Sequence, residues 1–239
     1  MDANRYPRDV VDRVLARRGR LHAFESLESA RTALLVVDMQ TGFLREGSPG
    51  EMPSAREIVP GINRLADATR AAGGQVVWII STYGPNESDR WPVLFDHIMS
   101  PERAAAFRGI LTEGVEDHAV WPLLRQADGD AVVAKNRFSG FVGSAGRLES
   151  LLRERGIDTV LIVGTVTNVC CESTAREAAM LDFKTIMVSD ANAGRSEAED
   201  IETYSVFLAA FGDVMTADEV IALLEAGPSG NEQAASAAQ

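Results

Sequence analysis

The sequence predicts an α/β protein: a three-layer α/β/α sandwich on a six-stranded, mainly parallel sheet. Two observations carry this reading. Apolar runs recur along the chain as continuous stretches rather than as alternating ones, the pattern of strands covered on both faces. Between them lie helical patterns, several closed by glycine, and that alternation is the mark of a doubly covered parallel sheet. At 239 residues the chain is long enough for one domain with a sizeable core.

The elements follow in order. Residues 7–19 carry spaced apolar positions (Val10, Val11, Val14, Leu15) among many charges, the pattern of a short amphipathic helix. ALLVVDM (33–39) is the first strand and ends in an acid. EIVPGINRLADATRAAGG (57–74) is a helix stopped by two glycines, QVVWIIST (75–82) the second strand, and DAVVAK (130–135) the third, ending in a lysine. SAGRLESLLRERG (144–156) is a helix, TVLIVG (159–164) a buried strand, NVCCESTAREAAMLD (168–182) a helix and KTIMVSD (184–190) a strand. A helix over 197–212, a short strand at 213–215 and a final helix over 216–226, capped by Thr216, complete the pattern.

Three parts lie outside this rhythm. Residues 1–30 are read as an N-terminal helical arm ahead of the α/β domain, which covers 31–226. That arm is expected to pack across the domain or on a neighbouring subunit. The tail, 227–239, is small and polar and is expected to be disordered. The span 83–129, rich in Trp, Pro, Arg and Asp, is a long excursion of the kind that covers an active site.

Charge and composition narrow the function classes. A net charge of -12 disfavours nucleic acid and anionic membrane surfaces and favours a small-molecule partner. No apolar run approaches the ~20 residues that span a bilayer. The first twenty residues lack the apolar stretch of a secretory signal, so a cytoplasmic location is the default. The two cysteines, Cys170 and Cys171, are adjacent and are expected to be thiols.

Ligands of open α/β sheets bind beyond the carboxyl ends of the strands. Three reactive residues fall at such ends: Asp38, Lys135 and Cys170. Each type is commonplace alone, as a turn residue, a surface charge or a small core filler. Together they form a chemically coherent set. An ammonium group and a helix start would stabilise a thiolate, lowering the thiol's pKa. An aspartate would take the thiol proton and return it to a leaving amine. Backbone N–H groups at the helix start would hold an oxyanion.

These residues sit in recognisable surroundings. LLVVDMQTGFL (34–44), VVAKNRFSGFVGS (132–144) and GTVTNVCCESTAREA (164–178) resemble, in the same order, the signature stretches of the isochorismatase-like, or cysteine hydrolase, superfamily. The resemblance covers roughly residues 31–226. It implies Asp38, Lys135 and Cys170 as catalytic residues, the backbone N–H groups of Val166 and Cys170 as oxyanion hole, and a cis peptide at Thr165–Val166. It puts Cys171 where the family usually has valine, as a buried filler.

The branch most similar in look contains ureidoacrylate amidohydrolases and biuret hydrolases. It implies a cysteine-dependent amidohydrolase that cleaves a C–N bond in a small amide or carbamoyl compound through a thioacyl-enzyme intermediate. An isochorismatase-type vinyl-ether hydrolase and a catalytically silent binding protein of the same fold are the alternatives. Nicotinamidases of the superfamily add a metal site with clustered histidines. Here His22, His97 and His118 are widely spaced, so neither metal nor other cofactor is expected. A homodimer or homotetramer is implied by the family habit. Phe43, Tyr83 and Trp91, on loops after the first two strands, are the candidate substrate contacts.

Overall fold

A computed structural model of the chain describes residues 6–84 and 89–227. Six strands stand in the order β3-β2-β1-β4-β5-β6: β1 Thr32–Val37, β2 Gln75–Ser81, β3 Ala131–Lys135, β4 Thr159–Thr165, β5 Lys184–Ala193 and β6 Asp213–Met215. All five pairings are parallel, so the sheet is wholly rather than mainly parallel.

Strand alternation divides the core in two. Leu34, Val36, Val76, Trp78, Leu161 and Val163 pack on one face, towards α3 (Val59–Ala71) and α9 (Ala217–Ala226). Ala33, Leu35, Val37, Val77, Ile79, Val160 and Ile162 pack on the other, towards α7 (Glu172–Met180) and α8 (Glu197–Ala210). With both faces covered, β1 is buried at every position. That is why its sequence is continuously apolar.

The N-terminal helix α1 (Arg8–Arg18) packs against α8, with Val10 and Val14 buried. Arg17 and Arg18 donate to the carbonyls of Ala209 (2.9 Å) and Gly212 (3.3 Å). Buried Asp213 then accepts from the backbone N–H groups of Ala23 (2.5 Å) and Phe24 (3.1 Å), tying the arm to the β6 edge. The tail from residue 228 onward, expected to be disordered, lies outside the described residues. Among the described residues no helix is long and apolar enough to cross a membrane.

Several boundaries differ from the sequence-based expectation, each for a local reason. β1 stops at Val37 rather than 39 because Asp38 turns to a positive φ of 53°. The helix expected over 57–74 is α3 alone, opened by Pro60 in its first turn and left behind at Gly73, whose φ is 83°. The helix expected over 144–156 is α6 (Arg147–Glu154), preceded by a separate turn, α5 (Gly140–Gly143). β5 runs on to Ala193. Its pairing jumps from Ile162↔Met187 to Gly164↔Asn192, and the Asn192 amide bridges the irregularity by donating to Ile162 O and Val188 O, both at 2.8 Å.

The excursion between β2 and β3 is more ordered than its composition indicates. It holds a π-helical turn (Val93–Ile98), α4 (Pro101–Ile110) capped by Ser100, and a 3₁₀ turn (Glu116–His118). An isolated antiparallel bridge, Gln40↔Val120, binds it to the loop after β1. Asn63 of α3 holds it further along through Leu123 O and Arg125 N.

Candidate active site at the carboxyl ends of four strands

The strand order makes neighbours of β3, β2, β1 and β4, and each sends one side chain to a common buried cluster. Lys135 and Ser81 close β3 and β2 and are register partners. Asp38 follows β1, and its N–H still donates to Ile79 O at 2.9 Å. Cys170 comes from the π-helical turn Thr167–Cys171 that follows β4. Asp38 and Lys135 are each 1 % exposed and Ser81 4 %, so their mutual contacts are not diluted by solvent.

Lys135 stands at the centre. Its Nζ lies 2.8 Å from Asp38 Oδ2 in a fully buried ion pair. Its N–H groups are aligned on Ser81 Oγ (2.9 Å), the Arg137 carbonyl (3.0 Å) and Cys170 Sγ (3.5 Å). Ser81 Oγ in turn donates to Asp38 Oδ1 at 2.9 Å. Asp38 Oδ2 is left to the Lys135 ammonium, and the Cys170 thiol also bears on this carboxylate.

Burial alone would discharge the lysine. The charge of Asp38, with Cys170 and Tyr83 adding to it, outweighs burial and holds the ammonium above its ordinary value. The thiol is pushed the other way from the expectation drawn from sequence. Burial first, and the adjacent Asp38 charge second, raise Cys170 well above the ordinary thiol value, and Lys135 offsets only part of this. Cys170 is therefore a neutral thiol beside the Asp38 carboxylate.

The loop bearing Cys170 is shaped by close backbone approach. Gly164, at φ 119°, lies against Val37, where any Cβ would collide with the Val37 carbonyl oxygen. The Thr165–Val166 peptide is cis. The Val166 carbonyl then accepts from the N–H groups of both Val169 (3.1 Å) and Cys171 (3.2 Å), winding a wide turn ahead of α7. The α-helix expected from 168 thus begins only at Glu172. Thr174 locks the turn, accepting from Gly140 N (3.0 Å) and donating to Cys170 O (2.7 Å). Ser139 donates to Glu177, which fastens the loop after β3 to the helix after β4.

The candidate substrate contacts divide. Tyr83 is buried beside the Asp38–Lys135–Cys170 cluster, and the pKa of its hydroxyl is raised chiefly by burial. Its ring meets Phe95 edge-on at 5.0 Å. Trp91 is partly buried against Phe138 (4.7 Å between centroids), beneath the guanidinium of Arg137, two residues beyond Lys135. Phe43 is instead a core residue, packed edge-on against Phe107 of α4 at 6.0 Å.

The histidines do not meet: His22 bonds Asp213 (3.0 Å) and His118 bonds Thr82 (2.8 Å). Among the described residues no group of His, Cys, Asp and Glu is placed to hold a metal ion. Cys171 is fully buried beside Ala175 and Ala178 in the core, its thiol held neutral mainly by burial.

Two site residues escaped the sequence reading. Ser81 links the carboxylate to the ammonium. Gln40, fully buried, grips the Ser81 backbone at both ends, donating to Ser81 O (3.0 Å) and accepting from Ser81 N (2.7 Å). This side chain adds one more rung to the sheet after β1 has turned away. The adjacency of Gln40 to Asp38 in VVDMQ is the one signal that could have drawn notice to it.

Comparison with known proteins agrees with this architecture. The isochorismatase domain family matches residues 32–219. The ureidoacrylate amidohydrolase RutB of Agrobacterium fabrum is 32% identical over 180 residues, covering 70% of this chain and 77% of that one. A cysteine hydrolase from Pseudomonas syringae pv. phaseolicola superposes with a TM-score of 0.78 at 30% identity, covering 87% of this chain and 99% of the other. N-carbamoylsarcosine amidase from Thermoplasma acidophilum gives a TM-score of 0.64 at 27% identity, over 79% of this chain and 97% of its own. With the family matched over residues 32–219 and the fold shared over 87% of the chain, the chain belongs to the isochorismatase-like hydrolases.

Proposed function

We propose that this chain is a cysteine-dependent amidohydrolase that cleaves the C–N bond of a small ureido or carbamoyl compound through a thioacyl enzyme on Cys170. The observation that carries the reading is the buried contact set of Asp38, Lys135 and Cys170, with a neutral thiol beside a carboxylate that Lys135 and Ser81 hold in place. As sulfur attacks the substrate carbonyl, the S–H bond breaks and Asp38 takes the proton. Lys135 holds the carboxylate in an ion pair and steadies charge on sulfur during transfer.

The substrate carbonyl oxygen gains the negative charge. The backbone N–H groups of Val166 and Cys170 would receive it, at the start of α7 where the helix dipole adds to their pull. Collapse of the tetrahedral intermediate breaks the C–N bond. The nitrogen leaves with the proton from Asp38, and a thioester remains on Cys170. Water, giving its proton to the same carboxylate, attacks the thioester; the C–S bond breaks and the thiol is reprotonated. No step calls on a cofactor.

The substrate class rests on the names of the relatives, a ureidoacrylate amidohydrolase and an N-carbamoylsarcosine amidase. The mouth adds Tyr83, Trp91 and Arg137 beside the cluster, an aromatic wall with one cation, which suits a small acid carrying a carbamoyl group. The test is ammonia release from a panel of ureidoacrylate, N-carbamoyl amino acids, biuret and maleamate. Trapping in acid should place an acyl mass on the peptide containing Cys170, and Cys170→Ala should abolish both signals. Turnover of these compounds by Cys170→Ala at the wild-type rate would refute the mechanism. We further infer a homodimer or homotetramer, to be read from the solution mass.

A further inference from the structure

We propose that Ser81 is a positioning residue that decides which oxygen of Asp38 accepts the Cys170 proton; the inference rests on the reading of Cys170 as nucleophile. The argument is one of donor and acceptor capacity. A lysine ammonium only donates, so the Ser81 hydroxyl that accepts from Lys135 Nζ cannot offer its proton back. Its single proton is left for Asp38 Oδ1, 2.9 Å away. Oδ1 is thereby engaged and the carboxylate plane is held.

Oδ2 is different in kind. It sits 2.8 Å from Nζ, and that ammonium is shared with Ser81, the Arg137 carbonyl and the Cys170 sulfur. A carboxylate oxygen carries two lone pairs, so Oδ2, facing only this shared ammonium and the thiol, retains one for a proton. Ser81 creates this condition twice over: it occupies Oδ1, and it draws one N–H of Lys135 away from Oδ2. Gln40 holds Ser81 in place through both backbone groups, at 2.7 and 3.0 Å.

Removing the hydroxyl should therefore close the base rather than free it. In Ser81→Ala the released N–H of Lys135 has Oδ2 within 2.8 Å and turns onto it, and the thiol loses its proton acceptor. Ser81→Thr keeps the hydroxyl and should keep the arrangement.

The experiment needs no identified substrate. Iodoacetamide, a small amide-bearing alkylating agent, is reacted at neutral pH with the full-length protein. Fragment masses then assign adducts to Cys170 or Cys171. In the wild type Cys170 should react at least about tenfold faster than Cys171, since only it has a base beside it. Ser81→Ala should slow alkylation of Cys170 by about tenfold or more with the melting temperature little changed, and Ser81→Thr should recover most of the rate. Should the alanine variant fail to fold, Ser81→Cys, which keeps the volume with a much weaker donor, takes its place with the same expected loss. An unchanged Cys170 rate in Ser81→Ala overturns the inference while leaving the nucleophile intact. A rate lost equally in Ser81→Thr, alongside a lowered melting temperature, overturns it in favour of a purely structural role. Equal reactivity of Cys170 and Cys171 in the wild type would instead defeat the functional reading itself.

Discussion

The polar rim and the excursion between β2 and β3 lie side by side over the same strand ends, the one buried and the other mostly exposed, and they are held by opposite means. In the rim, position comes from the backbone: Asp38, Ser81, Lys135 and Cys170 sit at the ends of strands or just past them, on four strands already fixed by parallel pairing. In the excursion, position comes largely from side chains: Asn63, Gln40 and edge-on aromatics hold described segments that an isolated bridge joins to the loop after β1. A change in the rim should alter chemistry at constant architecture. A change in the excursion should alter stability or affinity at constant chemistry.

The largest effect should fall on the rim. Asp38→Asn keeps the shape and removes the proposed base, so kcat should drop by ~10²–10⁴-fold while KM moves little. An asparagine variant that turns over ureidoacrylate or another panel compound at the wild-type rate would erase the distinction between the two regions. Lys135→Met tests the rim electrostatically. It leaves the Asp38 charge buried without its partner, which should cost about 3–5 kcal/mol in denaturant unfolding. Lys135 is also the group that opposes the rise of the Cys170 thiol. Its removal should therefore move the alkylation profile of Cys170 to still higher pH, each unit corresponding to about 1.4 kcal/mol. A profile that stays put would mean the lysine serves the substrate and not the sulfur.

Phe43→Ala addresses the other region. Phe43 is nearly buried against Phe107 of α4, so the cavity should cost about 3–5 kcal/mol of stability. Chemistry at saturating substrate should be kept below the lowered melting temperature. A large loss of kcat without loss of stability would return Phe43 to the substrate-contact role expected from its place after the first strand.

What could be read beforehand follows the same division. The parallel sheet was legible because a strand buried on both faces must be continuously apolar, as β1 and β4 are. Asp38, Lys135 and Cys170 were legible because a parallel sheet brings its carboxyl ends to one rim. Ser81 was not. A serine closing QVVWIIS is an ordinary strand end until β2 is known to run between β1 and β3, and strand order is a long-range property. The direction of the thiol's shift was hidden for a related reason. A lysine and a helix start both argue for a lowered value, and only the depth of burial and the nearness of Asp38 reverse the sum. The packing of Phe43 was not legible because a place just after the first strand does not reveal that α4 folds back over it.

The smallest effect should come from the residue next to the proposed nucleophile. Cys171 and Cys170 are consecutive and both buried in the same core cluster, but they differ in partners. Cys170 Sγ accepts from the Lys135 ammonium, whereas Cys171 is fully buried, with no such bond to its sulfur among the described residues. A thiol of that kind acts as a small hydrophobe, and valine exceeds it by about one methyl group. Cys171→Val should shift unfolding by less than about 1.5 kcal/mol and leave kcat within about twofold. Its neighbour argues the same way, since the turn is held by backbone bonds from Val169 and Cys171 to Val166 and by Thr174, none of which needs the Cys171 sulfur. Denaturant curves and initial rates on a panel substrate suffice as the measurement. A tenfold fall in kcat at unchanged stability would show that the second thiol takes part in proton transfer, and the boundary of the rim would have to be drawn one residue further along the chain.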